Sequence, residues 1–592
     1  MSPFASCTAD GVGSQPGISY LHAEVEPWIA VNPMDPLNVV ALWQQDRWSN
    51  GGARGLVAGV SEDGGSTWSS VVLPGLTPCS GGADLRATDP WLSFAPNGDL
   101  HAAALAFGTG PAASNAVVTI WSRDGGFTWS PWRTLIRDTW PHFNDKESIT
   151  TDPTDPRYVY ATWDRLNPNA DRGPSMFARS FDRGVSWEPA VAVHDPGPGS
   201  QTLGGQIVVH PDGRLFLFFT EIVGSGDEPG SWLAFKESAD KGATWTPESG
   251  AARVAPIAPR RAVAPGSRFL VRDGANLFDV GADPASGALV AVWQTAGPEP
   301  DPIPVVAFSM STDGGRSWSD PVAVNRTPAD LPPGSRQAFS PSVHVAEGGA
   351  VAVTYYDFRH DDPAPEALTD HWLTWCHPQA ADCANPERWR DEVRLTEASF
   401  DILQAPSAGG LFLGDYFGLG SAGKEFVALF TQPHAGDPAS AFARRVLVEE
   451  ALAPEELAFW KQEVSAAAGR IGGGEETRAS FNQYLADIRA VHDVFDRVRT
   501  FADLRDLLRP RNPPLRGQVR RELMALLLNL FSSRLSPSAD VGDGMTAGEA
   551  AASVAAALMD RRSPRADLEA ARDLARAIDE GRFLALSPAS RP

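Results

Sequence analysis

Charged and phenolic side chains recur at matching places along this 592-residue chain, and they are its candidates for chemistry. One set comprises Gln44-Gln45-Asp46-Arg47, Asp164-Arg165, Glu221, Gln294, Tyr355-Tyr356-Asp357 and Arg359. A second comprises Glu24, Glu26, Arg86, Asp89, Asp145-Lys146-Glu147, Arg336 and Asp415-Tyr416. Carboxylates can move protons, and guanidinium forks can hold an anion. Taken singly, each is what a solvated loop shows. Together they are charged pairs returning at the same place in several repeats of an acidic protein.

The repeats that must position them are marked by Ser61-Glu-Asp-Gly-Gly-Ser-Thr-Trp68, which is rewritten at Ser122 to Trp129, Ser180 to Trp187, Ser238 to Trp245 and Ser311 to Trp318. All five fit Ser-x-Asp-x-Gly-x-Ser/Thr-Trp. In a tight hairpin the Asp accepts turn N–H groups, the Gly supplies positive φ, the hydroxyl ties a local carbonyl and the Trp buries its ring against the sheet. A fixed period of this size predicts stacked or radial repeats of one supersecondary unit. Each repeat reads as four short strands. The first unit has Glu26 to Asn32, a turn at Asn32-Pro-Met-Asp-Pro36, Val39 to Trp43, Gly55 to Val60 and Val71 to Leu73. Further units open near Arg86, Asn144, Gly204, Gly274, Gln337 and Asp415. In antiparallel strands the end of strand two shares a face with the start of strand one. Both candidate sets therefore belong to the face opposite the repeated turns.

The repeated motif resembles the Asp box of sialidases and related β-propellers. The resemblance implies an all-β propeller over residues 1–450, with seven blades favoured; six, the number in the sialidases themselves, is the alternative. The seventh unit lacks a clear fourth strand, which the segment from Ile18 to Leu21 is expected to supply. The sixth lacks the motif, and the stretch from Cys376 to Trp389 stands in its place, so a disulfide is expected to replace that turn. Sialidases bind a substrate carboxylate with three arginines and use an Asp acid/base with a Tyr nucleophile activated by a Glu. By that resemblance Asp46 is the acid, Glu221 the base and Tyr355 or Tyr356 the nucleophile. Arg47, Arg86, Arg165 and Arg359, beside Asp357, are the expected substrate binders. The Phe/Tyr-Arg-Ile-Pro sequence that carries the first sialidase arginine is missing; Glu26-Pro-Trp28 stands there instead.

Composition divides the chain near residue 450. Only Trp460 of 19 tryptophans lies beyond that point, and the formal charge of −23 sits on the first part. Such an acidic surface argues against nucleic acid or anionic membrane as the main partner. Residues 451–592 change to helical periodicity, with helices expected near 455–468, 477–508, 515–534, 546–561 and 565–581. Leu523 to Leu530 is too short to span a bilayer. Asp540-Val-Gly-Asp-Gly544 does not match an EF-hand, and no metal or cofactor is expected. The tail reads as a separable helical domain for docking or self-association. Cys7 with Cys79, and Cys376 with Cys383, can pair, which would mean an oxidising, extracellular or cell-surface setting; four buried thiols are the alternative. No leader or spanning segment is visible, so a leader was removed or never present. The expected function is a secreted glycoside hydrolase on acidic glycans. The alternatives are a non-catalytic glycan- or protein-binding propeller and a polysaccharide lyase with His142 or His360 as base.

Overall fold

Strand two of each repeat is its most apolar segment, because it is covered on both sides. Val39–Arg47 is buried along its whole length, as is most of Leu100–Phe107 and Leu215–Val223. In the first repeat Val40, Leu42 and Ala58 pack against Leu92, Ala102 and Ala104 of the second, to which it is joined by a bridge between Ala53 and Ala87. On its other side Val39, Ala41 and Trp43 meet Val427 and Leu429 near the chain's last strands. Near-continuous apolar runs are what a strand buried on both faces requires.

The computed structural model describes residues 2–447, except 111–112, 225–228, 299–301, 363–364, 377–382, 390 and 424. Beyond these it describes 498–508, 514–531, 546–560 and 563–579, together with 460, 464, 481–482, 484–486, 488 and 495. The chain is mostly β and divides into two compact units, Met1–Val448 and Glu449–Pro592. No helix among the described residues is long and apolar enough to cross a membrane.

In the first unit Glu24–Val31, Val39–Arg47, Ala53–Ser61 and Ser69–Val72 pair consecutively and antiparallel. Similar meanders start with Arg86–Phe94, Phe143–Thr151, Ser200–Val209, Phe278–Ala282 and Ala338–Val345. The last sheet, Gly418–Ala422, Glu425–His434 and Asp437–Leu447, has three strands among the described residues. First strands of consecutive sheets are neighbours, and Gly418–Ala422 lies beside Glu24–Val31. All these first strands line one cavity of about 510 Å³.

The five repeated turns share one hydrogen-bond pattern. Asp63 Oδ1 accepts the Thr67 N–H at 2.8 Å while Oδ2 accepts its hydroxyl at 2.6 Å. Asp124 holds Thr128, Asp182 holds Ser186, Asp240 holds Thr244 and Asp313 holds Ser317 in the same way. The leading serine hydroxyl donates to the Asp and accepts the glycine N–H, as Ser122 does from Gly126 at 2.9 Å. Gly242 has φ 83°, and a Cβ there would sit 2.4 Å from the Phe177 ring, so this turn position needs glycine. The residue before that glycine is Arg183 in the third turn and Lys241 in the fourth. Each reaches the preceding sheet, Arg183 to Asp99 and Lys241 to Asp152, both at 2.6 Å.

Both cysteine pairs are disulfides. Cys376 ends the third strand of the sixth sheet, and Trp389 donates its indole N–H to Cys383 O at 2.9 Å; residues 377–382 lie outside the described set. The N-terminal expectation is corrected. Ser19 bridges Trp48 and the Tyr20 N–H donates to Arg47 O, so the Ile18 to Leu21 segment lies on the first sheet and adds no strand to the last. Disulfide Cys7–Cys79 and the ion pair of Asp10 with Arg54 at 2.6 Å tie this segment down there.

In the second unit the described helices are Phe501–Leu508, Leu515–Phe531, Ala547–Met559 and Arg565–Asp579. Leu523 to Leu528, Val554 and Ile578 form their core. Most of the helix expected at 455–468, much of that at 477–508, and the Asp540 to Gly544 loop lie outside the described residues.

Candidate functional site

Near its start, each of five first strands carries the same irregularity. The ladder with strand two slips between Val25 and Trp28, Thr88 and Trp91, Leu203 and Gln206, and Phe339 and Ser342; the third sheet slips opposite Thr162 to Asp164. At the slip the backbone is left-handed: Glu26, Asp89 and Lys146 at φ 52°, Gly204 at 74° and Ser340 at 50°. A β-bulge re-aims a side chain. Non-glycine residues hold such a conformation only where their surroundings over-determine it, and these places gather at functional sites. Three of the five are ionisable, and the bulges bring them together.

Lys146 Nζ lies 2.7 Å from Asp415 Oδ2, 3.0 Å from Asp89 Oδ2 and 3.4 Å from Glu26 Oε1. Arg272 holds Asp415 bidentately, at 2.5 and 3.0 Å. Gln44 donates its amide to Glu26 Oε2, and Arg47 donates to Gln44 Oε1 at 2.8 Å. Thr88 donates to Asp89 Oδ1 at 2.6 Å. Both guanidiniums cover the Phe412 ring, Arg47 at 4.7 Å and Arg272 at 4.5 Å. Beneath lie the stacked rings of Trp28 and Trp91, 3.4 Å apart, with Tyr416 tilted against Trp91. Glu26 is wholly buried, whereas the Arg272 side chain is 33% exposed and Asp145 is partly exposed, so the cluster meets solvent on their side.

Burial and neighbouring charge split the carboxyls into two kinds. Burial, reinforced by Asp89 and Asp415, pushes Glu26 up to about 8 against the pull of Lys146. Burial likewise raises Asp145 to about 6. For Asp415 burial acts upward too, but Lys146 and Arg272 outweigh it and hold the carboxyl below its ordinary value. Lys146 and the Thr88 hydroxyl do the same for Asp89. Burial works to discharge Lys146, yet the surrounding carboxylates hold its proton more firmly than usual. Proton-holding and ionised carboxyls within reach of one ammonium are the parts of an acid–base pair.

The residues assigned roles by resemblance are dispersed, and only Arg47 joins this cluster. Asp46 is buried under the N-terminal segment, accepting from Ser2 Oγ at 2.7 Å and His22 N at 2.8 Å. Arg86 is buried over Trp48 and spends its donors on Gln15, Pro16 O, Asn50 and Gly51 O. Arg165 pairs with Asp138 at 2.8 Å. Glu221 pairs with His194 at 2.8 Å and Arg253 at 3.1 Å. Tyr356 is a core residue whose hydroxyl donates to Thr431 O at 2.7 Å. Tyr355 does meet a glutamate and an arginine: its hydroxyl donates to Glu392 and accepts from Arg359 at 3.1 Å. That phenol is fully buried among Val306, Phe308 and Trp372, and Asp357 bonds Arg359, Thr327 and Trp372. The three-arginine arrangement is therefore not assembled. Of the lyase bases, His142 contacts Asn167 and His360 contacts Asp370, so both are engaged.

Glu26, Asp89, Lys146 and Asp415 were legible as polar starts of strand one but carried no motif of their own. A usable signal was present: Glu26-Pro-Trp28 and Asp89-Pro-Trp91 occupy the same place in consecutive repeats.

No family model matches the chain. A xyloglucanase of Paenibacillus is 30% identical over 133 residues, 21% of this chain and 12% of that protein, so the chain spans about an eighth of the relative's length. Three solved structures illustrate the overall likeness. A protein of Dyadobacter fermentans is 15% identical with TM-score 0.40, covering 73% of this chain and 97% of its own. An alpha-L-arabinofuranosidase of Fusarium graminearum is 12% identical with TM-score 0.39, covering 58% and 93%. The intramolecular trans-sialidase of Ruminococcus gnavus is 14% identical with TM-score 0.35, covering 75% and 99%.

Proposed function

We propose that residues 1–450 form a closed seven-bladed β-propeller of the Asp-box type, that residues 451–592 form a separate helical domain, and that the propeller is a secreted glycoside hydrolase. The observation that carries the activity is the convergence of Glu26, Asp89 and Asp415 on Lys146, beside Asp145, which accepts the Lys146 backbone N–H at 3.1 Å, with protons kept on some of these carboxyls and excluded from others. Asp145, at the solvent side, donates a proton to the departing glycosidic oxygen. Asp89, kept ionised by Lys146, takes the proton of the attacking water. Asp415 and Arg272 hold Lys146 in place, and Glu26 closes the floor. A positioned acid and base contribute about 10²–10⁴-fold each.

The substrate in this reading is a neutral glycan. Lys146 and Arg272 are each engaged by Asp415, and Arg47, which donates to Gln44, is only 2% exposed, so none of them offers a carboxylate-bearing sugar an open, accessible fork for bidentate binding. Trp140 and Phe269, each 63% exposed, precede the third first strand and Arg272 respectively, and provide ring faces for sugar stacking. Mutual pairing of the cluster's charges favours a second reading, a glycan-binding propeller without turnover. The two separate in one experiment: full-length protein assayed on neutral oligosaccharides and sialosides, with binding measured in parallel. Turnover of a neutral glycan that collapses in Asp145→Asn supports the hydrolase. Binding without turnover on every substrate favours the second reading, and turnover of sialosides alone overturns the neutral-glycan assignment.

A further inference from the structure

Three cavities follow one another along the first strands. The largest, about 510 Å³, has Pro33, Pro96 and Pro153 of the strand-one-to-strand-two turns at one end and Trp28, Trp91 and Gln206 towards the other. Gln206 also lines two small cavities of about 10 and 20 Å³. The second of these is bounded by Trp91, Lys146, Glu147 and Tyr416. Holding a water takes about 10–15 Å³ of such volume, so the 20 Å³ cavity takes one. Glu147 is 2% exposed, and its two carboxyl oxygens find no partner beyond the residue's own backbone N–H. Among the described residues this is a buried carboxyl with both oxygens unanswered, beside a water-sized space, directly behind the Lys146 cluster. A group in that position needs a hydrogen-bonding partner.

We propose that Glu147 holds an internal water and that this water arrives from the face of the repeated turns, through the large cavity and past Gln206. Resting on the glycosidase reading, it is also the water consumed in hydrolysis, supplied from behind while a glycan covers the Asp145 face. In that step the water oxygen bonds to the anomeric carbon as the bond to the departing sugar breaks. The departing oxygen takes the Asp145 proton, and the water's proton passes to Asp89.

The test uses the full chain. A crystal structure fine enough to show waters should place one beside Glu147 in the wild type and none in Glu147→Leu. Infrared spectroscopy should show the Glu147 carboxyl exchanging into D2O at least tenfold more slowly in Gln206→Phe, which plugs the route, than in wild type. Gln206→Leu serves if the larger ring prevents folding. A dry cavity in the wild type overturns the site, and unchanged exchange in both Gln206 variants overturns the route. If the water and the slowed exchange are found but no glycan is hydrolysed, the site stands and the glycosidase reading falls. If glycans are hydrolysed over a dry cavity, the water site alone falls.

Discussion

The aspartates of the five repeated turns and the carboxyls around Lys146 sit at opposite edges of the same sheets and in opposite electrostatic conditions. Asp63, Asp240 and Asp313 are solvated, and hydroxyl and backbone N–H donors hold them down at about 2. Glu26 and Asp145 lie where burial dominates and are pushed up to about 8 and 6. The turns use a carboxylate as a template for local N–H groups, and each is complete within about five residues of chain. The cluster draws on strands hundreds of residues apart, and each carboxyl there depends on charges supplied by other sheets. The first arrangement is structural because nothing in it is left to react. The second holds proton-bearing and ionised carboxyls side by side, as the proposed acid and base require.

Several changes would sharpen or break this contrast, beginning with the largest. Lys146→Met leaves buried carboxylates without their shared cation and should cost about 3–5 kcal/mol of stability in denaturant unfolding. A loss near zero would mean that the carboxyls simply protonate, and the cluster would not be an ion-paired unit. Asp145→Asn should lower turnover by about 10²–10⁴-fold with the thermal midpoint unchanged. Equal losses of turnover and stability would make Asp145 structural, like the turn aspartates. Trp140→Ala should raise KM on oligosaccharides about tenfold, the equivalent of roughly 1.4 kcal/mol of stacking, while leaving kcat alone.

Acid and alkali should separate the two regions. Glu26 binds its proton more tightly folded than unfolded, so its contribution is fully present below about 4.5 and is lost as pH rises towards about 8. Asp63, Asp240 and Asp313 bind protons less tightly folded than unfolded, so their contribution is present above about 4 and is lost as pH falls towards about 2. Activity, needing protonated Asp145, should fall as pH rises through about 6. Unfolding curves across pH for wild type and Glu26→Gln check the first claim: the variant should lose the alkaline slope. The smallest effect is expected from Asp240→Asn, which keeps one acceptor in an exposed turn and should lower the thermal midpoint only slightly, with turnover untouched.

Sequence alone determined the local parts of this protein. Ser-x-Asp-x-Gly-x-Ser/Thr-Trp specifies its turn because donor, acceptor and left-handed glycine lie within eight residues, and the five turns close on the expected partners. Apolar strand-two runs, the strand order within each repeat and the short Cys376–Cys383 loop were legible for the same reason, whereas the Cys7–Cys79 bridge, 72 residues apart, depended on where the N-terminal segment packs. The site was not. Asp46 and Tyr355 stand in the order the sialidase resemblance asks for, but order along a chain does not say which side of a strand a residue faces. Asp46 turns under residues 2–22, and Tyr355 turns into the core between neighbouring sheets. What the tertiary structure decided was which carboxyls share a cation. A one-residue bulge reverses the facing of every side chain before it, and placing Glu26, Asp89 and Lys146 at three such bulges, with Asp415 from nearly four hundred residues on in sequence, is settled only when the sheets pack side by side.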